Sequence, residues 1–153
     1  MAKGRTVKFE FDVFKATGEA LPEDGDKESV LEGAAEFLLE SVLSSVGNQR
    51  SPVAGYGAFP KLSKAYAKRK KAEGAPPVPD LVLSGEMLDS MQTYTRGNKI
   101  GIKLTGQQGA KADGHCNLSG DSTLPLRRFI PGEGEQFKAD ILDGIRRIIR
   151  SGG

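Results

Sequence analysis

QTYTRGNKIGIKL, residues 92–104, places two β-rich runs on either side of Gly97 and Asn98, residues that tolerate the positive φ of a tight turn. Ile100, Ile102 and Leu104 alternate with Gly101 and Lys103, so one side of this hairpin is apolar and expects a core. A third run, TVKFEFDVF at Thr6–Phe14, alternates Val7, Phe9, Phe11 and Val13 with Lys8, Glu10 and Asp12 at the same period of two. A small antiparallel or mixed sheet follows, with one wet face.

Helical periods surround these strands. After the turn-rich ATGEALPEDGD, Asp26 suits an N-cap, and Lys27–Val46 carries Leu31, Ala35, Leu38, Val42 and Val46 at helical spacing. Phe37, Leu39 and Leu43 widen its apolar surface beyond one stripe, so a second packing partner is expected, another subunit being one candidate. Gly47 and Asn48 suit its C-terminal cap, and NQRSPVAGYGAFP reads as loop. At the far end, Glu133–Arg150 sets Phe137, Ile141, Ile145, Ile148 and Ile149 on one face. Its Glu133 and Glu135 at the start and Arg146, Arg147 and Arg150 at the end complement a helix dipole. The expected fold class is α+β, a small sheet packed against two long amphipathic helices.

Between hairpin and last helix, Thr105–Arg128 is polar and glycine-rich, about twice the usual upper length for a structureless loop. It reads as a long interaction loop that orders on assembly. The whole chain, 1–153, is expected to form one domain ending in a frayed tail at 151–153, and no internal repeat is evident.

Upstream of the hairpin lies LSKAYAKRKKAEGAPPVPDLVLSGEMLDSM, residues 62–91. Leu62–Lys71 has helical composition, with Ser63 as its cap, Leu62, Ala65 and Tyr66 on one side and Lys64, Lys68, Lys70 and Lys71 elsewhere. APPVP predicts a stiff extended connector. Leu81, Val82 and Leu83 then form an apolar anchor, and Ser84 caps a turn over Gly85–Ser90 that buries Met87, Leu88 and Met91.

Lys and Arg total 22 against 20 Asp and Glu, a net charge of +2, so any attraction for nucleic acid or membrane must come from local clustering. The one strong cluster is Lys64, Lys68, Arg69, Lys70 and Lys71, with Lys61 and Tyr66 nearby. It either neutralises phosphates or is a solvated helix face whose lysine stems cover apolar surface, and the near-neutral chain favours the second. Arg127 and Arg128 precede Phe129, Ile130 and Pro131; the apolar pair is expected to anchor the return of the loop while the arginines pair with acids at a surface or interface. A lone cysteine, Cys116, cannot form an internal disulfide, and MAKGRT lacks the apolar stretch of a signal peptide, which points to the cytosol. No apolar run reaches the roughly 20 residues of a membrane span.

Chemistry is sparse. His115 beside Cys116 suggests either a metal site or an activated thiol, but a zinc site takes about four ligands and no such set is evident. GQQGAKADG and PGEGEQ lack the form of a phosphate loop and read as turns. No catalytic residue, metal or cofactor is indicated, and the chain does not read as an enzyme.

The order of these segments resembles the tail-completion or neck proteins of tailed bacteriophages, the phage virion-morphogenesis family. The resemblance rests on Leu62, Ser63, Tyr66, Arg69 and Lys70, then Leu81, Leu83, Ser84, Gly85, Met87 and Ser90, then Arg127, Arg128, Phe129 and Ile130. It spans about Leu62–Ile149. The aromatic-rich segment that family members carry before the late arginine-phenylalanine element is replaced here by KADGHCNLSGDS, which has His115 and Gly120 and no aromatic residue. The resemblance implies a mechanical virion protein that forms a ring, a hexamer in the family's setting, at the junction of head and tail. Its implied neighbours are head-closure or portal proteins and tail-terminator or tail-tube proteins. Lys64, Lys68, Arg69, Lys70, Lys71, Arg127 and Arg128 would lie at the DNA channel or at interfaces, in transient contact with genomic DNA. Its place would be the virion, after assembly in the host cytoplasm, with no membrane partner.

Overall fold

The computed structural model describes residues 4–23, 25–74, 86–120, 122 and 126–152. The fold is α+β, built on a three-stranded antiparallel sheet with strands β1 (Val7–Asp12), β2 (Gln92–Arg96) and β3 (Lys99–Leu104) in the order β1-β3-β2. Gly97 takes φ +61° at the hairpin turn, as the sequence predicts. The register pairs Val7 with Leu104, Phe9 with Ile102 and Phe11 with Ile100, so the apolar residues of both strands share one face. β1 ends one residue before Val13, because Asp12 caps a one-turn helix, α1 (Val13–Thr17), by accepting from the Lys15 amide at 3.0 Å.

The long helix α2 (Asp26–Gly47) lies on β2 and β3. Val30, Leu31, Ala34, Ala35, Leu38, Val42 and Val46 are its buried residues, a repeat of three and four that predicts one core-facing stripe. Gly25 stands at its N-cap, and Asp26, expected there, falls in the first turn, where its charge favours the helix N-terminus. The second partner that Phe37 calls for is within the same chain. Helix α6 (Ala139–Ser151) packs across α2, and a Cβ on Gly144 would stand 2.1 Å from the Phe37 ring, so the ring occupies the space that glycine leaves.

Two long helices do not flank the sheet. α2 has 22 residues and touches it, whereas α6 has 13 and packs chiefly on α2 and α1. Phe137, read as part of the last helix, precedes it and fills the apolar sheet face instead. It bridges Val53 and sets its ring 5.6 Å from Phe9 and 6.2 Å from Phe11, edge to face. Ser151 is helical and Gly152 is the left-handed C-cap, so these two residues of the tail expected to fray close the helix.

The largest departure is at residues 105–128. Gly106–Cys116 is a helix, α5, which ends on Asn117 in the left-handed conformation at φ +53°. Gly109, Ala112, Asp113 and Cys116 are buried, at positions i, i+3, i+4 and i+7. The period was there, carried by small and polar residues that do not register as apolar. Gly109 lets the helix lie directly on the backbone where β1 begins and β3 ends: an added Cβ would stand 1.8 Å from the Arg5 carbonyl oxygen. Arg5 pairs with Asp113, whose carboxylate also accepts from the Ser119 amide and hydroxyl, both at 2.9 Å.

The basic segment forms helix α3 (Lys64–Ala72), and Ser63 caps it as expected, accepting from the Tyr66 amide at 3.2 Å. A single turn, α4 (Glu86–Asp89), leads to the hairpin, with Met87, Leu88 and Met91 buried. The APPVP connector, the Leu81–Leu83 anchor and the Ser84–Gly85 start lie outside the described residues. No helix among the described residues is long and apolar enough to cross a membrane.

Gly33, in the middle of α2, has only ordinary contact around it, the nearest atom to an added Cβ being Ile148 Cγ2 at 3.9 Å. Gly33→Ala is therefore expected to stabilise the protein by about 0.5–1 kcal/mol through helix propensity, read as a rise in thermal midpoint. An unchanged or lower midpoint would count against this packing of α2 on α6.

Candidate interaction surface

The seven cations singled out from the sequence divide into two groups. Lys64, Lys68, Arg69 and Lys71 are exposed on α3, and Lys61 is exposed just before it. Lys64, Lys68 and Lys71 recur at i, i+4 and i+7 and therefore stand on one side of the helix. Arg69 points elsewhere and pairs with Glu73 at 3.4 Å. Lys70 is buried at 1% exposure, turned inward from the lysine stripe, and does not present its charge at the surface.

Arg127 and Arg128 are likewise committed to the interior. Arg127 is 5% exposed and donates from Nη2 to the Pro60 carbonyl at 3.1 Å, while its amide donates to the His115 carbonyl at 2.8 Å. It pairs with no acid among the described residues, contrary to the expectation, and its buried Nε makes no hydrogen bond. Arg128 meets its acid, Glu135, at 2.5 Å. It also donates to the Cys116 carbonyl at 2.9 Å and the Asn117 carbonyl at 3.3 Å, so it closes the C-terminal end of α5. The Tyr56 ring stacks over this guanidinium at 5.2 Å, and its hydroxyl donates to Glu135. Glu135 is thus the hub of a polar knot, not a first-turn residue of α6. Burial works to raise its carboxyl, but Tyr56, the Gly132 amide and Arg128 together hold it below the ordinary range. Phe129 and Ile130 are fully buried, anchoring the chain's return as the sequence implies.

His115 and Cys116 do not form a reactive pair. Cys116 is fully buried, and burial pushes its thiol up to about 12. Its Sγ accepts from the Phe129 amide at 3.4 Å. The protein should not react with Ellman's reagent at pH 8 until unfolded in guanidinium. Labelling of the native protein within minutes would contradict this burial. Among the described residues no group of three or more His, Cys, Asp and Glu stands together as a metal site would require.

Two charged surfaces lie apart from these cations, and the first was expected as the wet face of β1. The first is the uncovered face of the sheet. There Lys8 stands directly opposite Lys103, and Arg96 reaches across β3 to Glu10, with Nε 3.3 Å from Oε2. Gly101 between them makes room for the Tyr94 ring, whose Cζ would lie 2.4 Å from an added Cβ. Burial and the facing Glu10 push the Tyr94 hydroxyl up to about 12. Alternation of residue type along β1, β2 and β3 was the available signal.

The second is on α2, where Glu28, Glu32, Glu36 and Glu40 are all exposed. They repeat every four residues, and none makes an ion pair or hydrogen bond among the described residues. This row is legible in the sequence once the helix is drawn.

No family model, curated protein or solved structure matches this chain.

Proposed function

We propose that this chain is a structural virion protein, a subunit of the neck or head-tail junction ring of a tailed phage, joining tail to head around a passage for DNA. One observation supports the reading above the others: described residues of the segments that carry the resemblance hold caps and core positions of the fold. Ser63 caps the exposed basic helix, Met87 and Leu88 dock in the core, Arg128 closes α5, and Phe129 and Ile130 are buried beneath it. The partners in this reading are copies of the chain, in a hexamer, flanked by head-closure or portal proteins and by tail-terminator or tail-tube proteins. A tail terminator ring is the neighbouring role for the same architecture. Tails assembled without this protein should fail to join filled heads, and adding the purified chain should restore joining. Tails that join normally without it would contradict the proposal.

A second reading, a small DNA-binding module without sequence preference, is favoured by the lysine stripe of α3. Phosphate contacts need only clustered cations, and each one adds about 0.9 to the slope of log affinity against log salt on duplex DNA. Under this reading, neutralising Lys64, Lys68 and Lys71 to Gln lowers that slope by about 2.7, measured with a labelled duplex. An unchanged slope would remove it.

A further inference from the structure

The glutamate row of α2 and the lysine stripe of α3 are complementary in sign, spacing and exposure. Glu28 to Glu40 covers about 18 Å of helix and Lys64 to Lys71 about 10.5 Å, from a rise of about 1.5 Å per residue. Both rows step by three or four residues along their helices, so three cations can meet three successive carboxylates. Like charges four residues apart repel and weaken a helix, and α2 carries three such pairs in succession with no cation paired to them among the described residues. Lys64, Lys68 and Lys71 likewise make no ion pair among the described residues. The two rows do not neutralise one another within the chain. The near-zero net charge of +2 also leaves little general repulsion between copies.

We propose that the acidic row of α2 on one copy of the chain seats the α3 lysine stripe of the next copy. The occupant is a second copy because both halves of the contact belong to one sequence and neither is ion-paired among the described residues. The two surfaces differ, so the contact is heterologous: each copy offers α2 to one neighbour and α3 to the other, and the series closes into a ring or runs on as a filament. This names the subunit interface of the ring proposed above, and rests on that reading for its closure. It also assigns the α3 cations to a protein surface in place of DNA.

The test is a charge-reversal complementation on the full chain. One variant carries Glu32→Lys, Glu36→Lys and Glu40→Lys, and the other carries Lys64→Glu, Lys68→Glu and Lys71→Glu. All six positions are exposed, and unchanged far-ultraviolet circular dichroism with a cooperative melt verifies that each variant folds. In sedimentation velocity at about 50 mM salt, each variant alone should associate at least about 100-fold more weakly than wild type, since like-charge rows then face each other. An equimolar mixture should restore assembly, because the lysine row on α2 of one variant meets the glutamate row on α3 of the other, in alternation. Assembly by either variant alone at wild-type strength would overturn the interface while leaving the ring reading standing. A mixture that stays monomeric would overturn it too. Wild type that is monomeric at every concentration would overturn both. Loss of duplex binding by the lysine-reversed variant, with its self-association intact, would overturn the interface in favour of the DNA reading.

Discussion

Replacing Gly109 by alanine is expected to cost the fold at least about 3 kcal/mol, the upper range for overpacking, despite the gain of about 1 kcal/mol in helix propensity. The reason lies in what the methyl would meet. It would stand 1.8 Å from the Arg5 carbonyl oxygen and 2.9 Å from that of Leu104, both backbone atoms at the end of the sheet, so no side-chain rotation relieves the clash. α5 must lift away. That movement opens the hydrogen bond from the Arg5 amide to the Gly106 carbonyl at 3.0 Å, separates Arg5 from Asp113, and uncovers Ala112 and Cys116. For a chain of this size the thermal midpoint should fall by about 6–12 °C, against a rise for Gly33→Ala. A loss below about 1 kcal/mol in urea unfolding would mean that α5 does not rest on this backbone.

The second large effect is a loss of stability on mild acidification, caused by the chain's only histidine. Burial, reinforced by the nearby positive charge of Arg127, pushes the His115 imidazole down to about 4. Its buried Nδ1 has no hydrogen-bond partner, so the folded protein has no acceptor ready for an added proton there. The unfolded chain takes up that proton near pH 6.5, whereas the folded protein does so only near 4. Between those values the unfolded state binds more protons, so stability is complete above about 6.5 and is lost progressively as pH falls to about 4. The total is about 3 kcal/mol, at about 1.36 kcal/mol per unit of displacement.

Carboxylates fall in a different window. Arg96 holds Glu10 below its ordinary value. Burial works to raise Asp113 and Glu135, but their hydrogen bonds and arginine partners hold them below theirs too. These contributions persist until pH drops beneath the unfolded carboxylate values of 3.8–4.5. The interval from 6.5 to 5 therefore isolates His115 among the described groups. Urea unfolding across pH 4–8 should show this slope, and His115→Gln should flatten it. A wild-type profile already flat between 6.5 and 5 would contradict the burial of His115 beside Arg127.

Much of the fold was legible because apolar residues carried the period. The hairpin at Gly97, the alternation of β1, the inward stripe of α2 and the Ser63 cap all depend on residues within a few positions of one another. What escaped depends on distant partners. α5 presents Gly109, Ala112, Asp113 and Cys116 inward, and its one polar anchor, Asp113, meets both Arg5, 108 residues away, and Ser119. Glu135 looked like a helix-start charge because nothing local shows that Arg128, Tyr56 and the Gly132 amide converge on it. Lys70 sits in a run of four cations, and composition alone does not tell which of them the helix turns inward. For the candidate surface, the basic helix was visible from its composition. The acidic row was equally present in the sequence, but its meaning depends on an exposed α2 face and a complementary face on α3.

Self-assembly into the proposed closed ring can be read from native mass spectrometry with negative-stain imaging of the purified full chain. The expected result is one closed cyclic species, six copies in the family's setting, that persists at low salt and binds the end of isolated tails. Monomers at every concentration, with no attachment to tails, would contradict it.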